Sequence, residues 1–311
     1  MRGILLPATT PFGADGLIDA RALSSNIERW NETGISGYVI LGSTGERVHL
    51  EERESRDVIR AARECVPRER AFVVGVGGQG TRASVEDARR ACAEGADALL
   101  VITPSFYRAA MTPAALAAHY ETIADASTVP VVLYNIPQNT GVALSPETVA
   151  RLAAHENICG IKDSSGDMVN FVEMLRLSSA DFAVLTGHAS LLYAALSGGA
   201  QGAILAAACV APEVAMRIAR LVEQGEHVEA RELQRRFTPL ARAVTTRFGI
   251  GGLKYALDLC GYAGGEVRAP LAQPDEAARR EIERVLAECR LPVETAERET
   301  TKLQAEGAAT T

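Results

Sequence analysis

The chain lacks the cysteine and histidine spacings that usually hold metals. Its six cysteines are widely separated and form no CxxC pair, and its five histidines form no HExxH or HxH group. Zinc sites in proteins normally show one of these spacings. We therefore predict no catalytic metal, and we expect no other cofactor.

A basic surface and a long hydrophobic run are also missing. The formal net charge is −7, which makes nucleic acid an unexpected partner. No apolar run reaches the roughly 18–20 residues that a membrane span needs. The N-terminal stretch MRGILLPATTPF has no cleavage site after a long apolar region, so we interpret it as a strand and expect a cytoplasmic protein.

The sequence does contain a regular alternation of short apolar runs and amphipathic stretches. The apolar runs are typical of buried parallel strands, and they are Ile4–Ala8, Gly37–Leu41, Ala71–Val76, Ala98–Thr103, Val131–Ile136, Ile158–Asp163, Ala183–Gly187 and Gly202–Ala206. The amphipathic stretches predict helices at Arg21–Thr33, Glu51–Cys65, Thr81–Glu94, Pro113–Ala126, Ser145–Ala154, Val169–Leu177, Ser190–Ser197 and Pro212–Glu223. Eight strand–helix units predict an α/β fold, the (β/α)8 TIM barrel, with an open doubly wound sheet as the competing fold.

The last third of the chain shows no clear strand. Its periodicity predicts helices at Glu229–Thr246, Gly251–Leu259 and Asp275–Ala287. We therefore predict three parts: residues 1–226 as a barrel that carries the active site, residues 227–292 as a C-terminal helical appendage, and residues 293–311 as a mobile tail.

Lys162 ends the apolar run ICGIKDSS, where a charged side chain is unexpected. Lysine is rarely fully buried, and a low-dielectric site disfavours its ammonium form. A neutral amine attacks carbonyl groups and forms a Schiff base. The alternative is a lysine just past the strand that extends to water.

Two other predicted strand ends carry groups that suit a 2-oxo acid. The loop GSTGE, residues 42–46, could turn its N–H groups and the hydroxyls of Ser43 and Thr44 toward a carboxylate, or could be an ordinary tight turn. Tyr134 lies in an apolar strand and could relay a proton, or could be a core tyrosine. Because active sites of such barrels lie at the carboxyl ends of the strands, the three features together predict one site.

Two further motifs carry less weight. GVGGQG, residues 75–80, matches a dinucleotide fingerprint, but the next strand ends in Ile-Thr-Pro without the acidic residue that such a site needs. We interpret these glycines as a close-packed loop. His188 follows another strand and is either a substrate contact or incidental.

At these residues the chain resembles the dihydrodipicolinate synthase and N-acetylneuraminate lyase family of class I aldolases. The matching motifs are GSTGE (42–46), TP followed by aromatics (103–107), YNIPxNTG (134–141) and IKDSSGD (161–167), and the resemblance covers about residues 1–292. It implies a barrel with C-terminal helices and a homotetramer built as a dimer of dimers.

The resemblance also implies roles for individual residues. Lys162 would be the Schiff-base lysine and Tyr134 the proton relay, with Thr44 and Tyr107 as further catalytic residues. The substrate contacts would be Ser43, Thr44, Gly45, Asn139, Ser164, Gly187 and Ile204.

Within the family, the sequence looks most similar to 4-hydroxy-2-oxoglutarate aldolase, through YRAAMTPAALAAHY (107–120), VVLYNIPQNTG (131–141), KDSSGD (162–167), AVTTRFGIGGLK (243–254) and RAPL (268–271). The synthase branch typically has an arginine in the slot of Asn139, where it holds a semialdehyde carboxylate. In one departure, Phe106 occupies the slot in which family members place a tyrosine that reaches the neighbouring subunit, and Tyr107 follows it.

The predicted function is therefore a Schiff-base lyase that cleaves a 4-hydroxy-2-oxo acid, 4-hydroxy-2-oxoglutarate in particular, to pyruvate and glyoxylate. The alternatives are dihydrodipicolinate synthase or a 2-oxo-3-deoxy sugar acid dehydratase or aldolase using the same imine. A non-catalytic 2-oxo acid binding protein is a further alternative, although binding alone requires neither Lys162 nor Tyr134.

Overall fold

Eight parallel strands close into a barrel in the computed structural model, which describes residues 1–289. They are β1 (Gly3–Pro7), β2 (Gly37–Ile40), β3 (Ala71–Val76), β4 (Ala98–Ile102), β5 (Val131–Asn135), β6 (Ile158–Asp163), β7 (Ala183–Thr186) and β8 (Gly202–Ile204). Each strand pairs with its neighbours in chain order, and β1 pairs with β8. The predicted TIM barrel is confirmed, and the competing open sheet is wrong because no strand is left with a free edge.

Helices on the outside follow the strands, and most lie within two residues of their predicted bounds. They are α1 (Ala20–Asn31), α2 (Glu52–Cys65), α3 (Thr81–Ala93), α4 (Pro113–Ala126), α5 (Pro137–Thr140), α6 (Pro146–Leu152), α7 (Met168–Leu177), α8 (Leu192–Ser197) and α9 (Pro212–Glu223). Residues Thr112 and Ser145 cap α4 and α6 by accepting N–H bonds three residues ahead, as Ser or Thr before proline predicts. Gly95, with φ +90, follows the end of α3.

The strands separate two apolar cores. Side chains such as Leu5, Val73, Val132 and Tyr134 fill the barrel interior. A larger layer lies between the strands and the surrounding helices. Because successive side chains of a strand point to opposite faces, every second residue of a strand reaches the interior, and this places strand-end side chains at the barrel mouth.

The C-terminal segment is helical, as predicted, and comprises α10 (His227–Arg242), α11 (Gly249–Leu259) and α12 (Glu276–Cys289). The predicted continuous helix to Thr246 is wrong: α10 ends at Arg242, and a π-helical turn, Ala243–Arg247, follows. Pro239 lies one turn before this change and removes a backbone donor. The division into residues 1–226 and 227–292 stays a prediction, and the predicted tail at 293–311 lies outside the described residues.

Two further features concern the expectations about membrane spans and cysteines. Within residues 1–289, the structure has no helix that combines the length and apolarity of a membrane span. The six cysteines are free thiols, two of them buried.

Candidate active site

Lys162 and Tyr134 face each other inside the barrel. They are register partners on the adjacent strands β6 and β5, and both side chains are nearly inaccessible to solvent, with residue exposures of 5% and 4%. The Lys162 Nζ atom lies 4.4 Å from the centroid of the Tyr134 ring. The lysine that the sequence singled out is therefore buried beside the phenol and does not extend to bulk water.

Gly187, at the end of β7, makes room for the lysine side chain. A Cβ atom at this position would lie 1.9 Å from Ser164 Oγ and 2.9 Å from Lys162 Cε. Both distances are too short for real contacts. Glycine is thus required here by packing, although its backbone φ is ordinary for any residue.

The GSTGE loop is a short 3-10 turn, Ser43–Gly45, whose Ser43 Oγ lies 3.3 Å from Tyr134 Oη. The N–H groups of Gly45 and Glu46 donate within the turn, whereas the first N–H groups of such a turn have no acceptor inside it and can meet a ligand. Among the described residues, the non-glycine positions with positive φ are Leu41 (58°) and Glu46 (55°). Strained residues of this kind cost roughly 1–3 kcal/mol each and persist only where the surroundings hold them.

These groups open into a cavity of about 510 Å³ at the carboxyl ends of the strands. Its size suits a small organic acid with room for a second reactant. Of the predicted site residues, the lining includes Ser43, Thr44, Tyr134, Asn139, Lys162, Ser164, Gly187 and Ile204. The structure thus brings together most of the residues that the sequence proposed.

Two predicted residues do not line this cavity in the single chain. Gly45 is the buried last residue of the turn, and its carbonyl accepts a 2.7 Å hydrogen bond from Thr10 Oγ1. Tyr107 is 71% exposed and packs edge to face against Phe106, itself 75% exposed, with ring centroids 5.0 Å apart. A catalytic role for Tyr107 stays a prediction, since within one chain its ring points into solvent.

Sequence reasoning missed the part of the lining that comes from the appendage. Val244, Thr245, Thr246 and Ile250 belong to the π-helical turn and the start of α11, and they close one side of the cavity. The only sequence signal was that AVTTRFGIGGLK belongs to the family resemblance. This segment lies well after the last barrel strand in the sequence, so no local pattern indicated that it would cover the site.

The lining is nearly free of fixed charge. Among the described residues that line the cavity, Lys162 is the single Lys or Arg, and no Asp or Glu is present. Burial lowers the pKa of His188, so its imidazole is neutral near pH 7. A carboxylate entering this cavity therefore meets hydroxyls, amides, N–H groups and one lysine.

A buried polar pair lies on the opposite face of the same two strands. Asn135 Nδ2 donates to Asp163 Oδ1 at 2.6 Å, and Ser165 Oγ donates to the other carboxylate oxygen at 2.8 Å. Burial raises the pKa of Asp163 despite these bonds. The pair ties β5 to β6 directly behind Tyr134 and Lys162 and so fixes their register.

Two observations bear on the metal and dinucleotide motifs considered from the sequence. Within the described part of the chain, no group of three or more His, Cys, Asp or Glu side chains has metal-binding geometry. In the GVGGQG segment, the N–H groups of Gly77 and Gly78 donate to Asp87 and Ser84, which supports its interpretation as a close-packed loop.

The comparison with known proteins agrees with this geometry. The sequence pattern of the Dihydrodipicolinate synthetase family matches residues 1–289. A 4-hydroxy-tetrahydrodipicolinate synthase from Methanothrix thermoacetophila is 36% identical over 287 residues, which is 90% of this chain and 95% of that protein.

Solved structures of the same family also resemble this chain. The pyruvate complex of YagE, a prophage protein of the dihydrodipicolinic acid synthase family from Escherichia coli, has a TM-score of 0.87 and 30% identity, covering 94% of this chain and 99% of that one. A structure described as the first monomeric dihydrodipicolinate synthase variant has a TM-score of 0.88 and 28% identity, covering 93% and 96%. The chain therefore belongs to the dihydrodipicolinate synthetase family and is an enzyme of the class I aldolase type.

Proposed function

We propose that Lys162 forms a covalent imine with pyruvate and that the enzyme makes or breaks a carbon–carbon bond through it. The observation that carries this proposal is the burial of Lys162 against the Tyr134 ring. The Ser43–Gly45 turn beside the phenol supports it, because the turn offers N–H groups and hydroxyls to the carboxylate of a 2-oxo acid. The pyruvate complex of YagE adds that a structural relative binds this acid.

The chemistry follows from the positions of these groups. The Lys162 amine adds to the C2 carbonyl of pyruvate, and loss of water gives a protonated imine. This imine is an electron sink, so removal of a C3 proton yields an enamine that attacks an aldehyde carbon. In the cleavage direction Lys162 forms the imine with C2 of the 4-hydroxy-2-oxo acid, and water leaves. The C4 hydroxyl passes its proton to Tyr134 while the phenol passes its own proton to Ser43, and the C3–C4 bond breaks to release the aldehyde and leave the enamine. Protonation of the enamine at C3 and hydrolysis then release pyruvate.

The names of the relatives support a synthase as the first candidate for the overall reaction. A relative with 36% identity over 90% of this chain is called 4-hydroxy-tetrahydrodipicolinate synthase. In this reaction the pyruvate enamine would condense with a semialdehyde, and the product would cyclise.

Cleavage of 4-hydroxy-2-oxoglutarate to pyruvate and glyoxylate is the second candidate. Asn139 supports it, because this side chain lines the cavity where the resemblance implies an arginine in synthases. The absence of any arginine from the described lining residues points the same way. Dehydration or cleavage of a 2-oxo-3-deoxy sugar acid through the same imine is the third candidate, and the hydroxyl groups that line the cavity support it.

Borohydride reduction in the presence of pyruvate tests the imine directly. Because the chain has only three lysines, Lys162, Lys254 and Lys302, mass spectrometry of the peptides assigns the adduct without ambiguity. We expect the adduct on Lys162 and its loss in the Lys162→Arg variant. Absence of an adduct, or an adduct on another lysine, would falsify the proposal.

A substrate panel then separates the candidates. Pyruvate with a semialdehyde should give a cyclised product in a synthase, 4-hydroxy-2-oxoglutarate should give glyoxylate in an aldolase, and a 2-oxo-3-deoxy sugar acid should lose water or an aldehyde. The substrate with the highest kcat/KM identifies the reaction.

We also propose a homotetramer. The exposed pair Phe106 and Tyr107 supports an interface near the barrel mouth, since exposed aromatic side chains are enriched at such surfaces. The description of a related structure as the first monomeric variant adds support. The cytoplasmic location stays a prediction.

A further inference from the structure

Lys254 of α11 is completely buried and yet surrounded by polar partners. Its residue exposure is 0%, and its Nζ lies 2.6 Å from Glu46 Oε1, 2.8 Å from the Thr10 carbonyl and 2.5 Å from the Glu266 carbonyl. The contact with Glu46 is an ion pair and the other two are hydrogen bonds, so the three donors of the ammonium group face three oxygen atoms. A buried charge is tolerated only when it is paired with polar groups in this way.

Two of the three contacts of Lys254, those with Glu46 and Thr10, lead to the turn that faces the active site. Glu46 is the residue that ends the Ser43–Gly45 turn. Thr10, whose carbonyl accepts from Lys254, donates its own Oγ1 to the carbonyl of Gly45 at 2.7 Å. The appendage is therefore joined through Lys254 to both the side chain and the backbone of this turn.

A second contact from the same region holds the other oxygen of Glu46. The N–H group of Arg268 donates to Glu46 Oε2 at 3.0 Å. The guanidinium of Arg268 in turn pairs with Glu54 on α2 and donates to the carbonyls of Gly16 and His49. Glu46 is thus fixed from two sides by residues more than 200 positions away in the chain.

The backbone of Glu46 requires such restraint. Its φ of 55° lies in the left-handed region, which non-glycine residues avoid. Within the described chain Leu41 is the other non-glycine residue of this kind, so the two strained positions stand on either side of Ser43 and Thr44. The side-chain carboxylate supplies the restraint that a glycine at this position could not provide.

The choice of lysine at this position is also informative. The chain has 32 Lys and Arg residues, of which only three are lysines. A compact ammonium can direct three donors to three separate acceptors, whereas a guanidinium is planar and larger. Lysine occurs here where its geometry is needed, as it does at position 162.

We propose that Lys254 and Glu46 are positioning residues that hold the Ser43–Gly45 turn in the conformation that binds the substrate carboxylate. The pair acts through the turn and does not touch the reacting atoms. This inference rests on the proposed function, because it assumes that the turn binds the carboxylate of pyruvate. Since a displacement of about 1 Å in a site can cost up to about 10²-fold in rate or binding, small movements of this turn should be measurable.

The test is the double variant Glu46→Gln/Lys254→Met, which removes both charges and leaves neither of them buried alone. The concentration of pyruvate that gives half the maximal rate of borohydride trapping should rise about tenfold or more. The maximal trapping rate should stay within about threefold of wild type, because Lys162 and Tyr134 are untouched. Hydrogen exchange of the amides of residues 42–46 should also become faster.

Two control variants separate positioning from general loss of stability. Arg151→Met/Glu121→Gln removes an ion pair between α4 and α6, and Leu221→Ala opens a cavity in the buried face of α9. Both should leave the half-saturating pyruvate concentration and the exchange of the turn within about twofold of wild type, in keeping with the independence of distant sites.

The outcome is read from both measurements together. A higher half-saturating concentration with faster exchange, confined to the Glu46/Lys254 variant, supports the proposal. A folded variant in which either quantity is unchanged overturns it. If wild-type enzyme gives no adduct on Lys162, the proposed function fails, and the exchange result alone then decides whether the pair holds the turn.

Discussion

Tyr134 and Lys162 meet because two strands place them at matching positions with the same orientation. Each is a register partner of the other, and each points into the barrel. The phenol is also 3.3 Å from Ser43 Oγ, so a proton received by Tyr134 has a hydroxyl through which it can leave. Ser43, which the sequence suggested only as a carboxylate contact, is therefore also a neighbour of the proposed proton relay.

Tyr134→Phe tests the relay. Removing the phenol should lower kcat by about 10²–10⁴-fold, the usual contribution of a positioned acid or base, while the Lys162 adduct still forms with pyruvate. The matched control is Tyr120→Phe, which removes a buried phenol that bonds to the Val101 carbonyl outside the barrel interior. Equal effects of the two substitutions on kcat would argue against the relay.

Gly187→Ala tests the packing around the lysine. The added Cβ would collide with Ser164 Oγ and Lys162 Cε, so Lys162 must move and adduct formation with pyruvate should fall by at least about tenfold. Gly80→Ala is the control, since a Cβ there meets nothing within 4 Å and its φ is −125°. Trapping by borohydride measures both variants, and normal trapping in Gly187→Ala would contradict the crowding seen in the structure.

At the scale of secondary structure, β5 and β6 are the two strands that carry Tyr134 and Lys162. The Asn135–Asp163 hydrogen bond joins them on the face opposite to Tyr134 and Lys162. A one-residue slip of either strand would turn its own side chain, Tyr134 or Lys162, out of the barrel. The buried carboxylate thus contributes to register, although burial raises its pKa and so penalises its charged form.

Asp163→Asn should change how stability depends on pH. Because the pKa of Asp163 is raised in the folded state, the folded protein binds the proton more tightly than the unfolded chain. This stabilisation is complete below the ordinary aspartate pKa and is lost as pH rises through the raised value. The variant does not titrate, so wild type should lose stability relative to it with rising pH, by at most about 1.4 kcal/mol per pH unit.

Urea unfolding between about pH 4 and pH 8 measures this difference. A pH-independent difference between wild type and Asp163→Asn would mean that burial does not disfavour the charged form of this carboxyl group.

On the scale of the whole molecule, the exposed aromatic residues bear on assembly. Phe106 and Tyr107 follow β4 at the barrel mouth and remain about three-quarters exposed in the single chain. If they lie in the proposed interface, a charged substitution there should weaken it. This surface is also where a tyrosine from a second copy could approach a neighbouring site.

Phe106→Glu/Tyr107→Glu should reduce the molecular mass in solution, as measured by multi-angle light scattering, because a buried unpaired charge at an interface is strongly unfavourable. Leu17→Glu, at a residue that is 64% exposed elsewhere on the surface, should leave the mass unchanged. An unchanged mass for the aromatic variant would remove this pair from the interface.

The barrel and the centre of the site could both be predicted because the patterns that indicate them are local in the sequence. Apolar runs and helical periodicity are local, and closure by eight units follows from their number. Lys162 was conspicuous because a lysine interrupts an apolar run. The π-helical turn at Ala243–Arg247 could not be predicted, since its form depends on packing and not on periodicity.

The sequence by itself determined the eight strand–helix units, the family to which they belong and the lysine at the end of the sixth strand, because each depends on local pattern or on motif. Only the tertiary structure decided that Thr245 and Thr246 close the cavity and that Lys254 lies against Glu46. The contact between Lys254 and Glu46 joins residues more than 200 positions apart. No local signal encodes such a distance, because it arises only when the barrel closes and the appendage packs against it.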